Sequence, residues 1–222
     1  MYSRGIIEEI FEKDVKKRKR ISNIALYERV QSFLLNNYSV TFSLTKLTNS
    51  LRNEGITFKD STVRGYIEDL KKAKIIYECN RFDLKSKRSI RREQKYYLAD
   101  LSIYFAMNTD NTINFGPSLE NLVYHYLASK GYQVSVGRIG VFECDFIVRD
   151  MNQKYAYIQV TYTLQGGDLE LTNKLKEREY RPFRNIKDGY PRYIISLDTF
   201  RDQQEGVNHI NAIDLFLGKE TI

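Results

Sequence analysis

The sequence predicts a mixed α/β and α+β fold in two parts, an N-terminal winged helix-turn-helix followed by an αβββαβ domain. Three observations carry that expectation. Residues 24–99 run as three segments of helical period, a strand, a basic connection and a returning strand, which is the order of a winged helix. From residue 118 onward come one amphipathic segment, three alternating strand-like segments, a charged helical segment and an apolar strand, an α/β order with a partly mixed sheet. Charge divides along the same line: residues 1–100 hold 22 Lys and Arg against 13 Asp and Glu, a net +9, whereas residues 101–222 hold 13 against 15, a net −2. Such asymmetry suits a front half that meets nucleic acid and a back half with another task.

Residues 1–20 form an expected helical arm, with Ile6, Ile7, Ile10, Phe11 and Val15 as a partial apolar stripe ending in the basic run KKRKR. Those cations suit a helix C-terminus, or they contact phosphates, or the stripe is a seam to a partner domain. The winged helix is expected over 21–100. Its first helix spans 24–36, with Ile24, Leu26, Tyr27, Val30, Phe33 and Leu34 as its apolar set. Ser43 caps a second that carries Leu44, Leu47 and Leu51 and stops at Gly55; Asp60 or Ser61 caps a third that carries Val63, Tyr66, Ile67 and Leu70. IIYEC and QKYYLA are strands flanking the basic wing RFDLKSKRSIRRE.

In such a module the third helix enters the major groove of duplex DNA, which brings Ser61, Thr62 and Arg64 nearest the bases. Lys85, Lys87, Arg88, Arg91 and Arg92 of the wing then reach phosphates. Glu68 and Asp69 on the same helix would repel a backbone, so sequence reading is expected to be modest. The competing reading makes the winged helix a protein-docking platform with a merely solvated wing.

Residues 101–117 read as a linker and 118–222 as the second domain. Ser118 is the expected cap of a helix that packs along a stripe of Leu119, Leu122, Val123, Tyr126 and Leu127 and stops at Gly131. YQVSVGR, FECDFIVR and KYAYIQVTYTL are strands; alternation puts Glu143 with Asp145 on one face, and Gln159 with Thr161. A charged helix over 169–181, a strand PRYIISLD and a short apolar helix INAIDLFLG with His209 near its start complete the chain.

Several classes are excluded or disfavoured. No apolar run approaches the length of a membrane span, and MYSRGIIEEIFEKD is too charged for a secretory signal. Cys79 and Cys144 lie far apart in predicted strands, so a disulfide is not expected and the cytoplasm fits best. His125 and His209 have no neighbours at zinc-site spacing, which also argues against a Ser-His triad. There is no phosphate-binding GxxxxGK followed by Ser or Thr.

The helix acid Glu120, the strand acid Asp145 and the triplet Gln159, Val160, Thr161 resemble the signature of restriction-endonuclease-like nucleases of the PD-(D/E)XK type. That resemblance implies Glu120, Asp145 and Gln159 as catalytic residues. It also implies a Mg ion held by Asp145, the Gln159 side chain and the Val160 carbonyl, with Glu120 reaching it through water. Thr161 stands where that family has a Lys, and Lys174 or Lys176 on the following helix are the available substitutes. A wider resemblance covers nearly the whole chain. QKYYLADLS, LENLVYHYLASKGYQVSVGR, YIQVTYTL, NIKDGYPRYIISLD and EGVNHINAIDLFL follow in the order seen in the C-terminal half of certain prokaryotic AAA+-type ATPases. It implies a winged helix, a nuclease-like domain of unknown function, and an ATPase domain upstream as partner, with Met1 the start of a piece or of a shortened relative. The expectation is a DNA-associated module whose nuclease-like domain is degraded for want of the Lys; the alternative is a protein-interaction module without catalysis.

Overall fold

The computed structural model describes residues 23–107 and 114–222 together with Gly5, Glu9 and Ile21, and of Arg91 and Arg92 the backbone alone. The expected arm, 1–20, lies outside the described residues apart from Gly5 and Glu9. The fold is mixed α/β, and the chain divides into two compact units, residues 1–78 with 93–113 and residues 79–92 with 114–222.

In the first unit, α1 (Ile24–Asn36), α2 (Leu44–Asn53) and α3 (Asp60–Lys72) pack around one core of Leu26, Val30, Leu34, Leu47, Leu51, Val63, Ile67 and Leu70. Each helix buries one stripe at the spacing its sequence dictates. Asn23 and Ser43 cap α1 and α2 by accepting from the N–H groups of Leu26 and Lys46. The third helix departs from expectation at its start. Lys59 holds the cap position without a side-chain bond, and Asp60 is already helical, its carboxylate paired with Arg52 at 2.6 Å. Tyr27 and Tyr66 meet edge to face at 5.4 Å, and the Tyr66 hydroxyl donates to the Asn23 carbonyl, tying α3 to the start of α1.

Two strands follow, β1 (Ile76–Asp83) and β2 (Arg88–Leu98), joined by a short turn in which Asp83 accepts from the N–H groups of Lys85 and Ser86 and from the Ser86 hydroxyl. The basic connection expected as a 13-residue wing is therefore mostly strand. Its residues 79–92 group with the second unit, because β1 pairs in parallel with β3 through Arg81↔Val136 and Asp83↔Arg138. Six Lys and Arg and one acid move with them, and Asp110 counts with the first unit, so the units carry net charges of +3 and +4 rather than +9 and −2. Part of the expected linker is also structured: Ser102–Met107 is a helix, α4, whose Ile103 enters the first core. Residues 108–113 lie outside the described residues.

The second unit is built on a mixed sheet in the order β2-β1-β3-β4-β5-β6-β7. Here α5 is Phe115–Ser129, β3 Gln133–Ile139, β4 Phe142–Arg149 and β5 Tyr155–Val160. After them come α6 (Leu169–Tyr180), a 3-10 turn (Arg181–Asn185), β6 (Arg192–Ser196), β7 (Val207–Asn211) and α7 (Ala212–Phe216). Strands β3, β4 and β5 are antiparallel neighbours; β5, β6 and β7 run parallel. Two boundaries differ from the sequence reading. Helix α5 opens three residues before Ser118, since Pro117 sits in the first turn where its missing N–H costs nothing. Residues 207–211 are a strand, not the start of a helix. Asn211 ends it and caps α7 by accepting from the Asp214 N–H.

Helix α6 and the 3-10 turn cover one sheet face, where Tyr180, Phe183 and Ile186 pack with Ile147, Tyr157 and Ile194. Helix α5 lies against β3 and β5, with Tyr124 6.4 Å from Phe146. Strand β4 is buried on both faces, which is why Asp145 on it is only 9% exposed.

Candidate functional site

Asp145 and Gln159 face one another across the β4–β5 ladder, near the end of β5 where the chain leaves the sheet. Two hydrogen bonds lock them. The Asp145 backbone N–H donates to Gln159 Oε1 at 3.2 Å, and the Val160 N–H donates to Asp145 Oδ2 at 2.9 Å. The alternation read from the sequence thus brings the second and third signature residues together. Glu120 is buried on α5.

A fourth group joins them from α6. Glu179 is 2% exposed. Burial and then the Asp145 charge push its carboxyl above the ordinary range, while Arg178 and a hydrogen bond from Gln159 pull the other way. Arg178 grips Glu179 Oε1 at 2.6 Å through Nη2 and 2.7 Å through Nε. Helical period alone shows 178 and 179 only as part of a charged surface helix, and nothing local marks Glu179 as the residue that turns inward. The neighbouring acid Glu143 is answered by the buried Arg81 at 2.7 Å. That ion pair spans 62 residues and has no local signal.

The lysine substitutes do not reach this cluster. Lys174 is exposed and paired with Glu170 at 2.6 Å, one turn away on its own helix. Lys176 turns to Asp202 at 3.0 Å. Thr161 is buried, and its hydroxyl donates to the Thr163 carbonyl at 3.2 Å. Two of the oxygens expected to hold a Mg ion are already engaged. Gln159 Oε1 already accepts an N–H, Asp145 Oδ2 accepts another, and Arg178 answers Glu179. Among the described residues no group of three or more His, Cys, Asp and Glu side chains is arranged to hold a metal ion.

A second buried polar cluster lies where β6 and β7 leave the sheet. Ser196 Oγ stands 2.8 Å from His209 Nε2 and donates to Asp198 Oδ2 at 2.8 Å. Asp198 also accepts from the Thr163 hydroxyl and the Leu164 N–H. Sequence order gave no hint of it, because its members lie on three segments. His125 packs beside Tyr124.

Of the expected DNA contacts, Ser61 and Arg64 are exposed on the first turns of α3 and Thr62 is half-buried. Glu68 on that helix is held by Lys71 at 2.8 Å. Lys85, Lys87 and Arg88 are exposed around the β1–β2 turn and belong to the second unit. The Arg91 and Arg92 side chains lie outside the described residues.

Fold and site together define a two-unit mixed α/β protein with a buried carboxylate cluster at the end of a central strand. The chain belongs to the family described as "Domain of unknown function (DUF8612)", which matches residues 2–114. It is similar to an uncharacterized protein of Haemophilus influenzae, 25% identical over 96% of this chain and 51% of that protein. It is similar also to the uncharacterized protein MJ1544 of Methanocaldococcus jannaschii, 28% identical over 82% of this chain and 40% of that protein. The chain thus spans about half the length, or less, of these relatives. No helix among the described residues is long and apolar enough to cross a membrane.

Proposed function

We propose that this chain is a cytoplasmic DNA-associated module that works with an ATPase domain of the AAA+ type. In this reading the first unit is a winged-helix reader and the second a restriction-endonuclease-like domain that has lost catalysis. The observation that carries it is the closed state of the Asp145 cluster. Asp145 Oδ2 and Gln159 Oε1 each accept an internal N–H, and the Arg178 guanidinium beside them is bound to Glu179. A hydrolytic site of that family needs an open metal position and a lysine near the phosphoryl group. The exposed cations of the β1–β2 turn, on a unit of net +4, favour retained affinity for a polyanion.

The pairing of that hairpin into the second sheet favours one other reading, a protein-interaction module, because a wing held in a sheet is not free to follow a phosphate backbone. Duplex binding measured by anisotropy over a range of salt separates the two: a steep loss of affinity with salt is expected here, and binding that is absent or indifferent to salt supports the interaction module. Plasmid incubated with magnesium or manganese should remain intact. Cleavage abolished by Asp145→Ala would restore the enzyme.

A further inference from the structure

We infer that Phe115 and Tyr162 form a stacking platform for an unpaired nucleobase, so that the partner of the second unit is single-stranded nucleic acid or a displaced strand. This rests on the nucleic-acid reading above and names the substrate class of the same site. The two rings lie 4.9 Å apart at an interplanar angle of 33°, and Phe115 is 51% and Tyr162 43% exposed. A tilted aromatic pair this open is not core filling. It leaves flat π surface in water, which every base can cover whatever its sequence.

Both elements of the candidate site converge on the pair. Phe115 opens the helix that carries Glu120, five residues or about 7.5 Å of helix rise away. Tyr162 follows Gln159 by three residues, so the chain holds it within roughly 11 Å of the Asp145 cluster. An apolar protein segment could also cover the rings, but charge favours a polyanion. The unit carries +4, and Lys85, Lys87 and Arg88 stand exposed on it.

The experiment compares binding of a labelled 15-nucleotide single strand and a labelled hairpin duplex to the full chain at fixed salt. It uses wild type, Phe115→Leu, Tyr162→Leu and Tyr162→Phe. The two leucine variants keep apolar bulk and lose the ring. They should weaken single-strand binding by about 5- to 100-fold each and spare the duplex, while Tyr162→Phe should match wild type. Unfolding curves confirm that the half-exposed positions leave the fold intact. Single-strand affinity unchanged in both leucine variants, beside salt-dependent duplex binding, overturns the platform and leaves the nucleic-acid reading standing. If wild type binds neither oligonucleotide, that reading fails and takes the platform with it. A concentration-dependent dimer that the same leucine variants dissolve, seen by sedimentation, would assign the rings to a second copy of the chain and overturn the proposal.

Discussion

His209 donates to Ser196 rather than accepting from it. The backbone N–H of Asp202 points at His209 Nδ1 from 3.1 Å, and a backbone N–H can only donate. The ring proton must therefore sit on Nε2, 2.8 Å from Ser196 Oγ, whose own proton goes to Asp198. A nucleophilic serine requires the opposite polarity, with an unprotonated Nε2 to receive the hydroxyl proton. The residue types of a hydrolase triad are present, and the hydrogen-bond direction disarms them.

The same geometry predicts a pH dependence. Protonated His209 would place a second N–H against that of Asp202. Burial lowers its folded pKa below the free value, with Arg201 and Lys176 acting the same way against Asp198 and Asp202. The unfolded chain thus binds the proton more readily, and stability should be full above about pH 6.5 and fall as pH drops through it. Urea midpoints between pH 7.5 and 5.5 should show that slope in wild type, and His209→Gln should flatten it.

Glu179 has the opposite sign. Its folded pKa is raised, first by burial and then by Asp145, so the stability it contributes is present below the free carboxyl value and is lost as pH rises through the folded one. Glu179→Gln keeps the shape, removes the charge and should raise the thermal midpoint at pH 7. A lower midpoint would mean that the Arg178 pair outweighs the burial of the charge.

Gly137 marks the β3–β4 bulge. A Cβ there would meet Ile147 Cγ1 at 2.7 Å, Cys144 Cβ at 2.9 Å and the Cys144 carbonyl at 3.0 Å, all on a strand with no room to retreat. Gly137→Ala should cost about 1–3 kcal/mol by urea denaturation. Gly167→Ala, with open space around it, is the control.

The turn cations bear on affinity. Lys85, Lys87 and Arg88 changed together to Gln should lower the slope of log affinity against log salt for duplex DNA by about 2–3. Arg64→Gln should instead alter the ranking of duplex sequences. An unchanged slope in the triple variant would remove the hairpin from the nucleic-acid surface.

Local patterning alone determined α1 and α2, the buried stripe of α3 and the strands around Asp145. Their faces follow from periods of 3.6 and 2 and the starts of α1 and α2 from caps, which are properties of neighbouring residues. It put Asp145 and Gln159 on neighbouring strand segments, while the register that brings them together belongs to the β4–β5 ladder. Tertiary structure alone decided that residues 79–92 join the second sheet, that Glu179 turns inward to Asp145 beside Arg178, that Arg81 meets Glu143, and on which nitrogen His209 carries its proton. Each of these depends on strands or helices that meet across tens of residues and on burial that removes water, and neither is written in the spacing of adjacent side chains.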